Sequence, residues 1–246
     1  MKIIPAIDLK GGKCVRLYKG DFDRTTEYSD NPVEVARRFS ELDVEDLHIV
    51  DLDGARSGEQ LNRSIVRAIA LETGLNIQLG GGIRDRFTVD NWLKDGASRC
   101  VIGSMAITDT AEVSEWLLEF GADRIVLALD VKISPDGTPM LTTHGWTQRT
   151  TLTLWQCLDS YGQDGIVHVL CTDVSRDGAM TGPNTELYVE ILERYPDVQL
   201  QASGGVRNIN DLLQLRARGI PSAISGRALL DGAITEREVA TFRQSA

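Results

Sequence analysis

The sequence predicts a single (β/α)8 barrel of the TIM type. Short apolar and β-branched runs alternate eight times with helix-length segments along the 246 residues. Several runs, such as IVLAL and IVHVL, are apolar almost throughout, which is typical of strands buried on both faces of a parallel sheet. Such alternation implies βα units, and eight units favour a closed barrel. An open doubly wound sheet is the structural alternative that composition alone leaves open.

Eight segments are predicted as the barrel strands. They lie near residues 3–8, 47–51, 76–80, 99–103, 124–130, 166–172, 198–203 and 222–226. Side chains suited to capping helix N-termini stand where the following helices should begin, at Asn31, Asp85, Asp109, Asn184 and Asn208. Glycine stands where several helices should end, at Gly74, Gly96, Gly121 and Gly219.

An internal repeat supports the barrel. The first half contains PAIDLK, HIVDLDGA, LGGGIRD and VIGSMAI, and the second contains LALDVK, HVLCTDVSRDGA, ASGGVRN and AISGRAL in the same order. At offsets of 120 to 123 residues, the motifs match Asp8 with Asp130, His48 with His168, Gly81 with Gly204, and Gly103 with Gly226. The repeat predicts one domain over residues 1–246, built from half-barrels of about 1–121 and 122–246. Both histidines fall within strands, so we expect core or supporting roles for them.

Composition excludes several classes of function. A net charge of −10 gives no basic footprint for nucleic acid, and no apolar stretch is long enough to span a membrane. The N-terminus MKIIPAIDL does not resemble a signal peptide. The cysteines have no metal-ligand spacing and are expected to be buried thiols in a reduced, cytoplasmic protein; they are Cys14, Cys100, Cys157 and Cys171. We expect a monomer with no nucleic-acid or membrane partner and no metal.

Two aspartates at matching strand ends are the predicted catalytic pair. Asp8 ends the first strand and Asp130 ends the fifth. These strands lie on opposite sides of a barrel with two similar halves, so the carboxylates should face each other across the mouth, where barrel enzymes place their sites. An acid and a base that flank a substrate can move protons, provided that burial or a neighbouring anion raises one pKa from about 3.9. A structural role, at a strand end or in an ion pair, is the alternative for each aspartate.

Glycine-rich loops after four strands predict two phosphate sites. Glycine lets backbone N–H groups approach an anion closely, and the N-terminus of the next helix favours negative charge. The first pair of loops supplies Gly81, Gly82, Gly103 and Ser104, and the second supplies Ser203, Gly204, Gly205, Gly226 and Arg227. Two such pairs indicate a small-molecule substrate with a phosphate at each end.

Further polar residues surround this arrangement. Thr172 could orient a carboxylate or a substrate hydroxyl, and Asp177, which precedes Gly178, is a third candidate proton carrier. Arg16 and Arg84 could hold phosphate or a carboxamide, and Trp146 could stack on a planar heterocycle. Asp51, Asp173 and Arg176 lie at or just past strand ends. For all of these a structural role fits the spacing equally well.

Two connections after predicted strands are long. Residues 9–30, which include Gly20, and residues 131–149 both follow a strand end on the expected active-site face. Loops of this length inside a compact domain are usually functional or disordered. We interpret both as mobile lids that close on the substrate, with ordinary surface loops as the alternative.

Taken together, the motifs resemble one family from end to end. PAIDLKGGKCVRLYKGDF, QLGGGIR, HVLCTDVSRDGAMTGPN and SGRALL are similar to the ProFAR isomerases of histidine biosynthesis. The resemblance implies an aldose–ketose isomerase that carries out an Amadori rearrangement of the aminoaldose ProFAR to the aminoketose PRFAR, without metal or organic cofactor. It implies Asp8 as base and Asp130 as acid, with Asp177 as a rival for the acid. Ser225 and Met105 depart from the commonest family pattern. They lie in the phosphate loops, so they bear on substrate affinity more than on reaction type.

Other functions remain open at the level of sequence. The sister cyclase barrel, which closes an imidazole ring with ammonia from a glutaminase partner, shares the repeat, the loops and both aspartates. A bifunctional isomerase would also convert phosphoribosyl anthranilate. A non-enzymatic phosphosugar-binding barrel is a third alternative, because fold alone does not fix function.

Overall fold

Parallel strands close into a barrel in which the first and last strands pair. The computed structural model describes residues 1–18, 20–42, 44–162 and 165–244. Within these ranges the strands are Lys2–Lys10 (β1), Lys13–Tyr18 (β2), Asp21–Ser29 (β3), Asp46–Asp51 (β4), Asn76–Gly80 (β5), Ala97–Ile102 (β6), Ile125–Ile133 (β7), Pro139–Thr143 (β8), Gln148–Thr153 (β9), His168–Asp173 (β10), Gln199–Ser203 (β11) and Ser222–Ser225 (β12).

The barrel itself uses eight of these described strands. Parallel pairing runs in the order β1, β4, β5, β6, β7, β10, β11 and β12, and β12 pairs back with β1. The predicted (β/α)8 barrel is therefore confirmed, and each predicted strand lies within a few residues of an observed one. In this ring β1 stands opposite β7, while β5 and β6 stand opposite β11 and β12.

Helices on the outside connect successive barrel strands. In the described ranges they are Pro32–Ser40 (α1), Leu52–Ser57 (α2), Arg63–Thr73 (α3), Arg86–Lys94 (α4), Ser104–Thr108 (α5), Thr110–Phe120 (α6), Leu154–Ser160 (α7), Thr185–Arg194 (α8), Ile209–Ala217 (α9), Arg227–Leu230 (α10) and Glu236–Gln244 (α11), with a short 3-10 turn at Ala122–Arg124. All five predicted N-caps are confirmed, since each side chain accepts a backbone N–H from the first turn of its helix.

The long connections after β1 and β7 form β-hairpins, which the sequence analysis did not predict, and their interpretation as lids stays a prediction. β2 and β3 extend β1 as antiparallel strands, and β8 and β9 extend β7 in the same way. Val15 and Tyr18 in the first hairpin and Thr142 and Thr143 in the second are residue types that favour strands. Gly11 and Gly12 turn the first hairpin with φ of 57° and 79°, and Gly137 helps to turn the second with φ of 88°.

The barrel interior is filled by apolar and polar layers. Ile4, Val101, Val126, Leu170 and Ile224 pack together inside the strands. A larger apolar core fills the space between the strands and the surrounding helices. The interior filling makes the barrel a packed core, so ligands have room only at its ends.

A carboxamide pair crosses the barrel centre. Gln78 donates to Gln201 at 2.6 Å, Gln201 donates back at 2.9 Å, and Gln78 also lies 3.0 Å from the Nδ1 atom of His48. Arg99 contacts His168 and Asp46 at the opposite end of the barrel from the strand C-termini. The expectation that both histidines are core or supporting residues is confirmed.

All four cysteines are free and buried, as predicted. Across the described residues, no helix has both the length and the hydropathy that a membrane span requires.

Candidate active site

A cavity of about 770 Å³ opens at the C-terminal ends of the barrel strands. Every residue that the sequence analysis assigned to catalysis or substrate binding lines this cavity. These residues are Asp8, Arg16, Gly20, Gly81, Gly82, Arg84, Gly103, Ser104, Asp130, Trp146, Thr172, Asp177, Gly178, Ser203, Gly204, Gly205, Gly226 and Arg227. The sequence repeat therefore brings both halves of the chain to one site.

Asp8 lies in the wall formed by β1 and is 7% exposed. One terminal nitrogen of Arg16 donates to its Oδ1 at 3.0 Å. Burial raises the pKa of Asp8 to about 6, even though Arg16 lowers it, while the nearby Asp177 adds to the rise. A carboxylate with this pKa is ionised near neutral pH and is still basic enough to accept a proton.

Asp130 lies on β7, across the ring from Asp8. The indole N–H of Trp146 donates to its Oδ2 at 2.9 Å, and the Thr172 hydroxyl bonds it from β10. Register places Thr172 directly beside Asp130. Burial raises the pKa of Asp130, Trp146 and Thr172 lower it, and Asp177 raises it further. The two aspartates thus share one cavity, each with its own hydrogen-bond donors.

Arg16 joins three parts of the site. It lies on β2, which pairs with the end of β1 so that Val15 is opposite Asp8. Its second terminal nitrogen lies 3.8 Å from Oδ1 of Asp177. A Cβ atom at Gly226 would lie 2.9 Å from the guanidinium carbon, so the side chain rests on the loop after β12. The first hairpin therefore carries a cation into the space between two carboxylates and one glycine loop.

The glycine loops after β5 and β11 pack closely on neighbouring loops. A Cβ atom at Gly82 would lie 2.1 Å from the carbonyl oxygen of Gly54, and one at Gly205 would lie 2.3 Å from that of Gly182. Gly82 and Gly205 have φ of 73° and 86°, which side chains rarely adopt. Glycine is therefore required here by packing and by backbone conformation, and both halves use it in the same way.

Two arginines stand beside these loops on opposite sides. Arg84 donates to the carbonyl of Ala55 at 3.2 Å, and Arg227 donates to the carbonyl of Gly178 at 2.9 Å. Arg227 also pairs with Asp231. With Arg16 they place positive charge in the cavity of a chain whose net charge is −10.

Three polar residues that the sequence placed near the strand ends do not line the cavity. Asp51 accepts from the backbone of Gly54 and the side chain of Asn62, and it is fully buried. Asp173 accepts from Ser175 and Asn184, and Arg176 donates to the carbonyl of Gly182. These residues hold the connections after β4 and β10, so their structural interpretation is the one the structure favours.

The turn between β8 and β9 supplies a part of the site that the sequence analysis identified only through Trp146. Thr143, His144 and Gly145 also line the cavity. The turn meets the first hairpin, since a Cβ atom at Gly20 would lie 2.6 Å from the Trp146 ring. The run THGW, with a glycine beside an aromatic residue in a polar hairpin tip, was the available signal. In the described ranges, no group of three or more His, Cys, Asp or Glu residues is placed to hold a metal ion.

The fold and this site define a (β/α)8-barrel enzyme whose cavity is lined by aspartates from opposite strands. A sequence model of the family described as "Histidine biosynthesis protein" matches residues 2–235, and the chain belongs to this family.

Similar curated proteins cover nearly the whole chain. One from Elusimicrobium minutum is 45% identical over 238 residues, which is 97% of this chain and 98% of the relative. One from Francisella philomiragia is 44% identical over the same shares, and one from Alteromonas mediterranea is 43% identical over 99% of this chain and 100% of the relative. Each is named 1-(5-phosphoribosyl)-5-((5-phosphoribosylamino)methylideneamino) imidazole-4-carboxamide isomerase. The resemblance stated from the sequence is confirmed.

Proposed function

We propose that this protein catalyses the Amadori rearrangement of the aminoaldose ProFAR to the aminoketose PRFAR in histidine biosynthesis. One observation carries the proposal: Asp8 and Asp130 come from opposite barrel strands to one cavity, between two pairs of glycine loops. The names of the full-length relatives support it. A single-substrate isomerisation needs only a proton donor, a proton acceptor and a means of holding the substrate.

Asp130 acts as the acid and Asp8 as the base. Asp130 protonates the ring oxygen of the aminoaldose ribose, the bond from C1 to that oxygen breaks, and the nitrogen lone pair forms the Schiff base. Asp8 then removes the proton from C2, which gives an enolamine. The enolamine takes up a proton at C1 and loses the proton of its C2 hydroxyl as it relaxes to the ketone. Burial raises the pKa of Asp130, which is the direction of shift that a proton donor requires.

Asp177 is the other carboxylate that could serve as the acid. Asp177 lies 3.8 Å from the Arg16 guanidinium, whereas Asp130 is bonded by the neutral side chains of Trp146 and Thr172. This difference in partners supports the choice of Asp130. The pH–rate profiles of Asp130→Asn and Asp177→Asn separate the two, because only loss of the true acid removes the alkaline limb.

The two phosphates bind at opposite sides of the mouth. Gly81, Gly82, Gly103 and Ser104 hold one with Arg84, and Ser203, Gly204, Gly205 and Gly226 hold the other with Arg227. The span between the two loop pairs suits a long substrate with a phosphate at each end. Trp146 stacks on the planar heterocycle of the substrate, and Thr172 orients Asp130. Gly20, against which the Trp146 ring packs, and Gly178 line the same cavity.

The proposal includes a single domain of two half-barrels, a monomeric state and a cytoplasmic location, with neither a metal nor an organic cofactor in the reaction. The matched loop pairs and the Gln78–Gln201 contact across the barrel support the half-barrel division.

The direct test is an assay with ProFAR alone, without glutamine or ammonia, followed by ultraviolet absorbance. Conversion to PRFAR under these conditions is the expected result. Turnover that requires ammonia would instead assign the chain to the cyclase class.

A further inference from the structure

The turn between β8 and β9 connects one glycine loop to Asp130. The backbone N–H of His144 donates to the hydroxyl of Ser104 at 2.9 Å, and two residues later the Trp146 indole donates to Asp130 at 2.9 Å. Ser104 begins α5, directly after the loop that follows β6. A single hairpin tip thus contacts a proposed phosphate loop and the proposed acid.

The conformation of this tip needs support. His144, Gly145 and Trp146 have φ of 54°, 62° and 70°, all in the left-handed region. Residues with side chains are uncommon there, and such conformations persist when surrounding contacts hold them. Inside the tip, Thr147 bonds back to the carbonyl of His144. Among the described residues, the Ser104 and Asp130 contacts are the hydrogen bonds that tie the tip to the barrel.

The repeat gives Ser104 a counterpart with a different partner. Gly103 matches Gly226, so Ser104 matches Arg227. Arg227 donates to the carbonyl of Gly178, next to Asp177, and within the described residues no hydrogen bond joins it to the β8–β9 turn. Among the described residues, the hydrogen-bonded link through this turn to Asp130 therefore starts at Ser104 in the first half of the chain and not at its counterpart in the second half.

We propose that Ser104 is a positioning residue for the reaction: its hydroxyl holds the His144 N–H and so fixes the turn that places Trp146 on Asp130. The inference rests on the proposed role of Asp130. A hydroxyl that accepts from His144 still has its own proton to donate. A phosphate oxygen at this loop can accept a hydrogen bond from the hydroxyl, so phosphate binding and placement of Trp146 use the same side chain. Binding energy from a remote phosphate would in this way support the reacting centre.

A double-mutant cycle tests whether Ser104 acts through Trp146. The variants are Ser104→Ala, Trp146→Phe and the double variant, with Ser104→Thr as the conservative change. We expect Ser104→Ala to lower kcat by about five- to tenfold, the scale of one lost hydrogen bond. In the Trp146→Phe background, Ser104→Ala should change kcat by less than twofold. In the wild-type background, Ser104→Thr keeps the hydroxyl and should therefore keep kcat near the wild-type value.

Several results would overturn the inference. One is an equal loss of kcat from Ser104→Ala in both backgrounds. Another is a rise in KM with kcat unchanged, which would make Ser104 a phosphate contact only. Failure of Ser104→Thr to restore kcat would also contradict it.

A matched control and a separate variant complete the design. Ser160→Ala removes an exposed hydroxyl that bonds within α7, and it should change neither kcat nor KM. Asp130→Asn is measured in parallel. If Asp130→Asn keeps the wild-type kcat, Asp130 is not the acid. If Asp130→Asn is inactive but the effects of Ser104→Ala and Trp146→Phe are additive, only the positioning role of Ser104 is contradicted.

Discussion

Arg16 and Asp8 form a hydrogen-bonded ion pair of 3.0 Å inside the cavity. Burial raises the pKa of Asp8 and the guanidinium lowers it, and the net result is a pKa of about 6. Burial and the ion pair together therefore set the pH at which the proposed base becomes ionised. Because kcat/KM reports the ionisation of the free enzyme, its acid limb should fall near this value.

Replacement of Arg16 should move that limb upward. In Arg16→Ala the opposing charge is gone, so the pKa of Asp8 should rise by about one unit or more. Activity then appears only at higher pH, and less enzyme is competent at pH 7. The measurement is kcat/KM against pH with one substrate, so that titration of the substrate phosphates is common to all variants. Arg16→Lys, which keeps the charge, should leave the limb near its original position.

Asp177→Asn is the opposite control for this prediction. Asp177 raises the pKa of Asp8, so its neutral analogue should move the acid limb to lower pH. If both Arg16→Ala and Asp177→Asn shift the limb in the same direction, Asp8 is not the group that titrates there.

The Gln78–Gln201 pair should contribute to stability. Both side chains are buried, and each satisfies the other across the barrel. Gln78→Ala leaves a buried carboxamide without its partner, which should lower the free energy of unfolding by about 1–3 kcal/mol. Urea unfolding of Gln78→Ala, Gln201→Ala and the double variant Q78A/Q201A measures this. The double variant should lose less stability than the sum of the two single variants, and strict additivity would exclude coupling across the barrel.

Gly82 should tolerate no side chain. A Cβ atom would lie 2.1 Å from the Gly54 carbonyl oxygen, in addition to the cost of its positive φ. Gly82→Ala should therefore lower the free energy of unfolding by more than about 3 kcal/mol, or shift the loop and raise KM. Gly219→Ala is the matched control, because Gly219 has φ of 79° but open space around its Cβ position. Its cost should be about 1 kcal/mol, from backbone conformation alone. Equal costs at the two positions would show that the close approach is unimportant.

The sequence predicted the barrel because its strongest signals are local and repeated. Apolar runs marked the buried strands, and capping side chains such as Asn31 and Asp85 marked helix starts. The site residues could be predicted from the sequence because each follows a strand, and all strand C-termini meet at one face of a barrel.

Other features depend on contacts between distant segments. The hairpins after β1 and β7 were missed although Gly11–Gly12 and Asp136–Gly137 are hairpin signals. The Gln78–Gln201 pair required knowing that two equivalent strands bring these side chains together at the barrel centre. The contact of His144 with Ser104 depends on how the second hairpin folds over the barrel, so the spacing of residues along the chain does not predict it.

The central claim is that Asp8 accepts the proton during isomerisation, and one variant tests it directly. Asp8→Asn keeps nearly the same shape and removes the base. Turnover of ProFAR should therefore fall by more than about 10²-fold, the scale of general acid–base catalysis. Binding of ProFAR to the variant, measured by calorimetry, should persist because the loops that hold the phosphates are unchanged. Turnover of Asp8→Asn at the wild-type rate, with binding intact, would contradict the account.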